Sequence, residues 1–212
     1  MKNNLVFSPI EKLFKKNCRN IIIGKLDRQQ LFLKKNYNIL ENNNDWSLKN
    51  RIRESAYLDN FYDKKISELY MHFNQIHGLS KNRGYWEIIL GHFLKQLIFI
   101  CRDRWLSVKK CLKNKKIDFV SLIDINYEEL TTNNYLEFSS NKQKHYYNHY
   151  LFTEAYKILS NKEKIYWQKS EEKIIKKLKY KKKKLHNFNA NSIYEALFHI
   201  FKKNQKYLFF DH

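Results

Sequence analysis

Residues 77–105 read HGLSKNRGYWEIILGHFLKQLIFICRDRW and contain the most apolar run of the chain. That run, Ile88 to Cys101, is interrupted by His92, Lys95 and Gln96. A membrane-spanning helix needs about 20 apolar residues. The run falls short, so the reading is a helix inside a protein core. Trp86, Leu90, Phe93, Leu97, Cys101 and Val108 recur at helical spacing. The stripe widens until only Glu87, Lys95 and Arg102 break it. A helix that is apolar nearly all round is buried among neighbours. The spacing therefore predicts one central helix over 84–113, with Trp86, Leu90, Phe93, Leu97 and Cys101 nearly inaccessible. Gly91 sits inside it. Gly in a helix costs about 1 kcal/mol against Ala, and close approach of a second helix is the expected compensation. The run ends in Arg102-Asp103-Arg104-Trp105. Guanidinium groups at a buried helix end are either paired, here through Asp103, or arranged to hold an anion bidentately.

Only 4 Gly and 1 Pro occur in 212 residues, so long helices are favoured over tight hairpins. With 43% hydrophobic residues a core is affordable. RNIIIGK at 19–25 reads as a strand closed by Gly24, and QLFL at 30–33 as a second. ENNND at 41–45 is a break, with Asp45 expected to cap a helix over 46–76. Gly78 is the expected C-cap of that helix. Residues 115–125 read as a buried strand and 126–138 as a short helix and turn. Helices are predicted over 143–159, 161–180 and 190–205, and a last strand over 207–210. Strands 20–23 and 207–210 are expected in one parallel sheet. The fold class is α/β and helix-rich, with residues 1–212 forming one domain that carries a helical elaboration.

The net charge is +20, which points to nucleic acid or an anionic membrane surface. The cations are mostly Lys, scattered along the chain, and seven are Arg. Nucleic-acid readers gather Arg and stacking aromatics on one face, so nucleic acid is disfavoured. The Lys-rich run at 176–184 reads as a solvated helix end or as a surface meeting anionic lipid. Cys18, Cys101 and Cys111 are odd in number and lack metal spacing, which implies a reducing compartment. The first residues show no apolar signal region. The expected location is the cytoplasm, with peripheral contact at the inner face of the membrane.

No GxGxxG, Walker A, GxSxG or CxxC pattern occurs. No catalytic residue is assigned and no metal is expected. His145 and His149 share ligand spacing, but nothing in the sequence places a third ligand. Helix surface or packing is their expected role.

The stretch NQIHGLSKNRGYWEIILGHFLKQLIFICRDRW resembles the hallmark segment of a bacterial transferase family associated with surface-carbohydrate biosynthesis. Asn74, His77, Tyr85, Trp86, Leu90, Gly91, Leu94, Asp103, Arg104 and Trp105 match that pattern. His92-Phe93 stands where the family has Pro-Trp. Tyr147-Asn148-His149 falls where Trp-Asn-His is common. YLFFDH falls where a strand runs into Gln-His-Gly-Gly, with Asp211 at the Gln position. The resemblance covers most of residues 45–160. It implies the Rossmann-like N-terminal half of a GT-B-like glycosyltransferase, with Arg104, Asp103, His77 and His212 binding substrate. It also implies a nucleotide-sugar donor, held by a C-terminal half that would be supplied as a separate chain. A truncated or split enzyme is therefore the expectation. The alternative is a non-enzymatic basic module on nucleic acid or an anionic membrane.

Overall fold

The structure, a computed structural model, describes residues 1–24, 26–42, 47–123, 125, 130, 132, 135–141, 144–160 and 165–168. It divides into two compact units, residues 1–44 with 104–212 and residues 45–103.

The first unit is built on a parallel sheet of five strands: β1 (Lys2–Val6), β2 (Cys18–Ile23), β3 (Ile39–Asn42), β4 (Phe119–Ile123) and β5 (Ile165–Gln168). Their spatial order is β3-β2-β1-β4-β5. Leu5 and Val6 on β1, Ile21 and Ile22 on β2, and Leu122 and Ile123 on β4 are neighbours on opposite faces, and all are buried. Burial on both faces is the pattern of a parallel sheet. Val6, Ile22 and Ile123 join Leu13, Phe14, Leu26 and Leu33 in one cluster.

Toward the amino ends the sheet is polar inside. Asn4 Nδ2 donates to Leu13 O and to Asn20 Oδ1, and Ser121 Oγ donates to Asn4 Oδ1. Asn20 also exchanges bonds with the backbone of Lys15. Three buried side chains thereby satisfy one another and tie down the link from β1 to β2. That link contains only a short turn of 3-10 helix, Glu11–Leu13.

The strand expected at 19–25 is β2, and Gly24 closes it at φ 99. The strand expected at 30–33 is helical: Arg28–Gln30 is a 3-10 turn and Phe32–Asn36 is α1. Asp27 and Gln30 form a reciprocal capping box that nucleates the turn. β1 and β3 lie where no strand was expected. The helix expected over 161–180 is replaced at Ile165–Gln168 by β5, where β4 offers a free ladder edge to a β-favouring Ile-Tyr-Trp segment. The strand at 207–210, the helix at 190–205 and the Lys run at 176–184 lie outside the described residues.

The second unit is a helical hairpin. α2 (Leu48–His77) is capped by Ser47, whose hydroxyl accepts from Asn50 N, rather than by Asp45. Ser47 adjoins the first helical residue, which is where a cap must stand. Gly78 ends the helix at φ 62, a left-handed C-cap as expected. The chain returns through α3 (Arg83–Trp86), a π turn over Glu87–Gly91, and α4 (His92–Asn114). Trp86, Leu97 and Cys101 are buried, whereas Leu90 and Phe93 are only half-buried. Ile88 is 88% and Ile89 51% exposed. The helix is therefore not enclosed on all sides as expected. The π turn adds a residue to one turn and rotates these isoleucines outward.

Gly91 does admit a close neighbour: a Cβ there would lie 2.5 Å from Tyr62 Oη on α2. Gly91→Ala should therefore destabilise the protein by about 1 kcal/mol despite its better helix propensity. Added to Tyr62→Phe, which removes that oxygen, it should be neutral or stabilising. Urea midpoints of the two single variants and the double variant check this.

Candidate functional site

In an open parallel sheet, ligands bind outside the carboxyl ends of the strands where the strand order reverses. Here the order reverses between β1 and β4. The residues that follow those strands meet α6 (His145–Leu159). His149, one turn into α6, is fully buried. Its Nε2 accepts from the backbone N–H of Ile123 at the end of β4, at 3.0 Å. The ring proton must then sit on Nδ1, which donates to Ser8 Oγ just beyond β1, also at 3.0 Å. Phe7 packs against the His149, Phe152 and Tyr156 rings.

Burial lowers the pKa of His149 from 6.5 to about 3, so the ring is neutral. As the donor to Ser8, it is not poised to take the serine proton, which excludes a nucleophilic serine activated by this histidine. Its work is to hold the β1 and β4 ends in register. One turn earlier, His145 Nε2 lies 2.9 Å from Gln30 Nε2. Gln30 Oε1 already accepts from Asp27 N, so the amide donates to the ring. The i, i+4 pair on α6 thus clasps the segments following β1 and β2 and the last residue of β4. Both histidines are engaged this way, and no group of three or more His, Cys, Asp or Glu suited to a metal occurs among the described residues.

Arg104 reaches the same turn of α6. Its Nε and Nη2 both donate to Asn148 Oδ1, at 3.0 and 2.7 Å, and its guanidinium lies 5.2 Å from the centre of the Phe152 ring. Arg102 points elsewhere, to a forked ion pair with Glu54 on α2. Asp103, half-buried, lies between them on α4. Cys111 has its thiol pushed up to about 11 by burial, so it supplies no thiolate.

His77 belongs to a separate cluster at the hairpin tip. Its ring centre is 5.6 Å from that of Trp86. Trp86 Nε1 donates to Asn74 Oδ1, which also accepts from Lys81 N. Trp86 is a core anchor of the hairpin. The 17 positions from Trp86 to Asp103 correspond to about 25 Å of helix. Trp86 and its neighbour His77 thus stand well along the return helix from Asp103. His212 lies outside the described residues.

Sequence reading took His149 for helix surface or packing. Its one signal was the Tyr147-Asn148-His149 match, which also contains the partner of Arg104.

The sheet and its clasped carboxyl ends define an α/β protein with a helical insertion. Residues 3–211 match the LIC12162 family transferase pattern, and the chain belongs to that family. No curated protein and no solved structure matches it. The family match extends well beyond the 45–160 stretch that carried the resemblance and supports a transferase. No helix among the described residues is long and apolar enough to cross a membrane.

Proposed function

We propose that this transferase-family chain serves glycosyl transfer from a nucleotide-sugar donor in surface-polysaccharide biosynthesis, as the Rossmann-like half of a GT-B-like enzyme. The observation that supports this reading is the parallel order β3-β2-β1-β4-β5, with its reversal beside Ser8, His149 and Arg104. In this reading Arg104, beside Asp103, recognises a phosphate or sugar acid of the substrate, because a guanidinium fork suits such oxyanions. His77 and His212 belong to the same reading as further substrate contacts. A C-terminal half on a separate chain would hold the donor, and the positive charge would tolerate an anionic membrane surface. Family membership favours a transferase over a non-enzymatic basic module.

Calorimetric titration of the purified chain with phosphorylated glycan acceptors tests the proposal. Arg104→Lys should weaken binding by about tenfold, since Lys keeps the charge but loses the fork. Its melting temperature should stay close to wild type. A large fall in melting temperature with unchanged binding would make Arg104 structural. No binding of any probe by the wild-type chain would remove the reading.

A further inference from the structure

The two ends of the parallel sheet differ in charge. Residues 1–3, 11–19, 35–38 and 115–118 lead into the amino ends of β1 to β4. They hold eight Lys or Arg and two Asp or Glu, a net +6. Residues 7–10, 24–31, 41–44 and 123–134 end or follow the same four strands. They hold two Lys or Arg and five Asp or Glu, a net −3. Both carboxylates of the basic end are taken by uncharged donors. Asp118 Oδ2 accepts from Asn3 N, and Glu11 Oε1 from the Tyr37 hydroxyl. Lys2, Lys16, Arg19, Lys115 and Lys116 are exposed and form no ion pair among the described residues. The register sets Lys2 beside Cys18 and Asn3 beside Arg19, and Asn3 Nδ2 donates to Lys116 O. Lys2 and Lys15 share one ring: their Nζ atoms lie 5.3 and 4.7 Å from the centre of Phe119. Cations from separate segments are thus gathered along one edge of the sheet.

Composition selects the anion that meets them. Seven of the eight cations are Lys. Nucleic-acid readers rely on Arg forks and on aromatic faces open to stacking. Here Phe119 is half-buried against two ammonium groups, and Tyr37 packs on Phe14. Protein interfaces are depleted in Lys and have an apolar centre. In these segments the one exposed large apolar side chain is Met1, at 75%. Lys residues around a single apolar side chain suit an anionic headgroup layer.

We propose that the amino-end edge of the sheet docks on an anionic lipid surface. Lys2, Lys16, Arg19, Lys115 and Lys116 meet the headgroup phosphates, and Met1 enters between them. The carboxyl ends then face away, about 20 Å from the headgroups, which is the length of a strand. Their acidic flanks are kept from the lipid charge, and the crevice beside Ser8, His149 and Arg104 faces away with them. This docking rests on the proposed role at an anionic membrane and on no step of sugar transfer, so vesicle binding and acceptor binding fail separately.

Flotation of the full chain with vesicles, at near-physiological salt, is the test. Wild type should float with equal parts of phosphatidylglycerol and phosphatidylcholine, and not with phosphatidylcholine alone. Lys16→Glu, Arg19→Glu and Lys116→Glu together should weaken binding by about 100-fold or more, at roughly fivefold per charge. The melting temperature should be unchanged, because all three side chains are exposed. Should that variant melt early, Lys16→Gln with Lys116→Gln gives the same test at about 20-fold. Lys49→Glu, Arg51→Glu and Arg53→Glu, exposed on α2, change the net charge equally. They should weaken binding by less than about fivefold, since distant charges are screened. Equal losses in the two triple variants would reduce the effect to net charge. Unchanged binding in the first would put the lipid on the Lys-rich run at 176–184. Either result, or a wild type that stays unbound, overturns the docking. A wild type that ignores vesicles but binds random-sequence duplex DNA through the same three cations would assign the edge to nucleic acid and overturn it too.

Discussion

His149→Phe should lower the stability of the protein by about 4 kcal/mol, although it exchanges one ring for another of similar size. The cost comes from what the ring leaves behind. Ile123 N–H loses its acceptor and Ser8 Oγ loses its donor, both in a fully buried setting. Each buried polar group stripped of its partner costs about 1–3 kcal/mol. His149→Gln, able to restore one of the two bonds, should recover roughly half. The pH dependence carries the same signature. The folded pKa of about 3 lies below the ordinary 6.5, so the unfolded chain takes up a proton that the folded chain refuses. The contribution is fully present above about pH 6.5. It is lost as pH falls toward 3, by about 1.4 kcal/mol per pH unit. In His149→Phe that slope should flatten. Urea unfolding of both proteins across this range measures it. A variant within about 0.5 kcal/mol of wild type at neutral pH would show that the ring does not hold the strand ends together.

The parts of the fold that were legible in the sequence are those set by local chemistry. α2 follows from its apolar period and from Gly78, which no side chain competes with at φ 62. β2 follows from three consecutive isoleucines and Gly24. β1 was not legible, because Asn3 and Asn4 look like turn residues. Asn4 is at home in a strand only because Asn20 and Ser121, on the two neighbouring strands, complete its hydrogen bonds. The same non-locality hid the site. Ser8 and His149 are 141 residues apart, and nothing near either one announces the other. The π turn is a third case: the composition of Glu87–Gly91 is that of an ordinary buried helix, and only the close approach of Tyr62 to Gly91 shows which side faces in. Arg102-Asp103-Arg104 was legible as a charged end that required partners. The partners themselves, Glu54 and Asn148, come from opposite directions in the chain.

That division between the two arginines gives the second large effect. Arg102 is 2% exposed, and its fork grips Glu54 with Nε on Oε2 at 3.0 Å and Nη2 on Oε1 at 3.2 Å. The Tyr57 ring centre lies 4.8 Å from the guanidinium carbon. Removing the carboxylate charge while keeping the shape, by Glu54→Gln, should cost about 3 kcal/mol, because it takes from a buried cation the carboxylate its fork grips. Arg102→Met should cost less, since the Glu54 side chain is 14% exposed and can recruit water. The double variant Glu54→Leu with Arg102→Met should be within about 1 kcal/mol of wild type, as apolar replacements of buried pairs are often neutral or better. A double-mutant cycle read from helical circular dichroism in urea separates the pair from its surroundings. Single substitutions that each cost under about 1 kcal/mol would place the pair with ordinary surface bridges. The contrast with Arg104 is the useful control. Asn148 gives that guanidinium a neutral oxygen, and Arg104→Lys should be tolerated where Glu54→Gln is not. Agreement of the two results would leave Arg102 as the anchor of the hairpin and Arg104 as a contact whose charge, not its fork, matters to the fold.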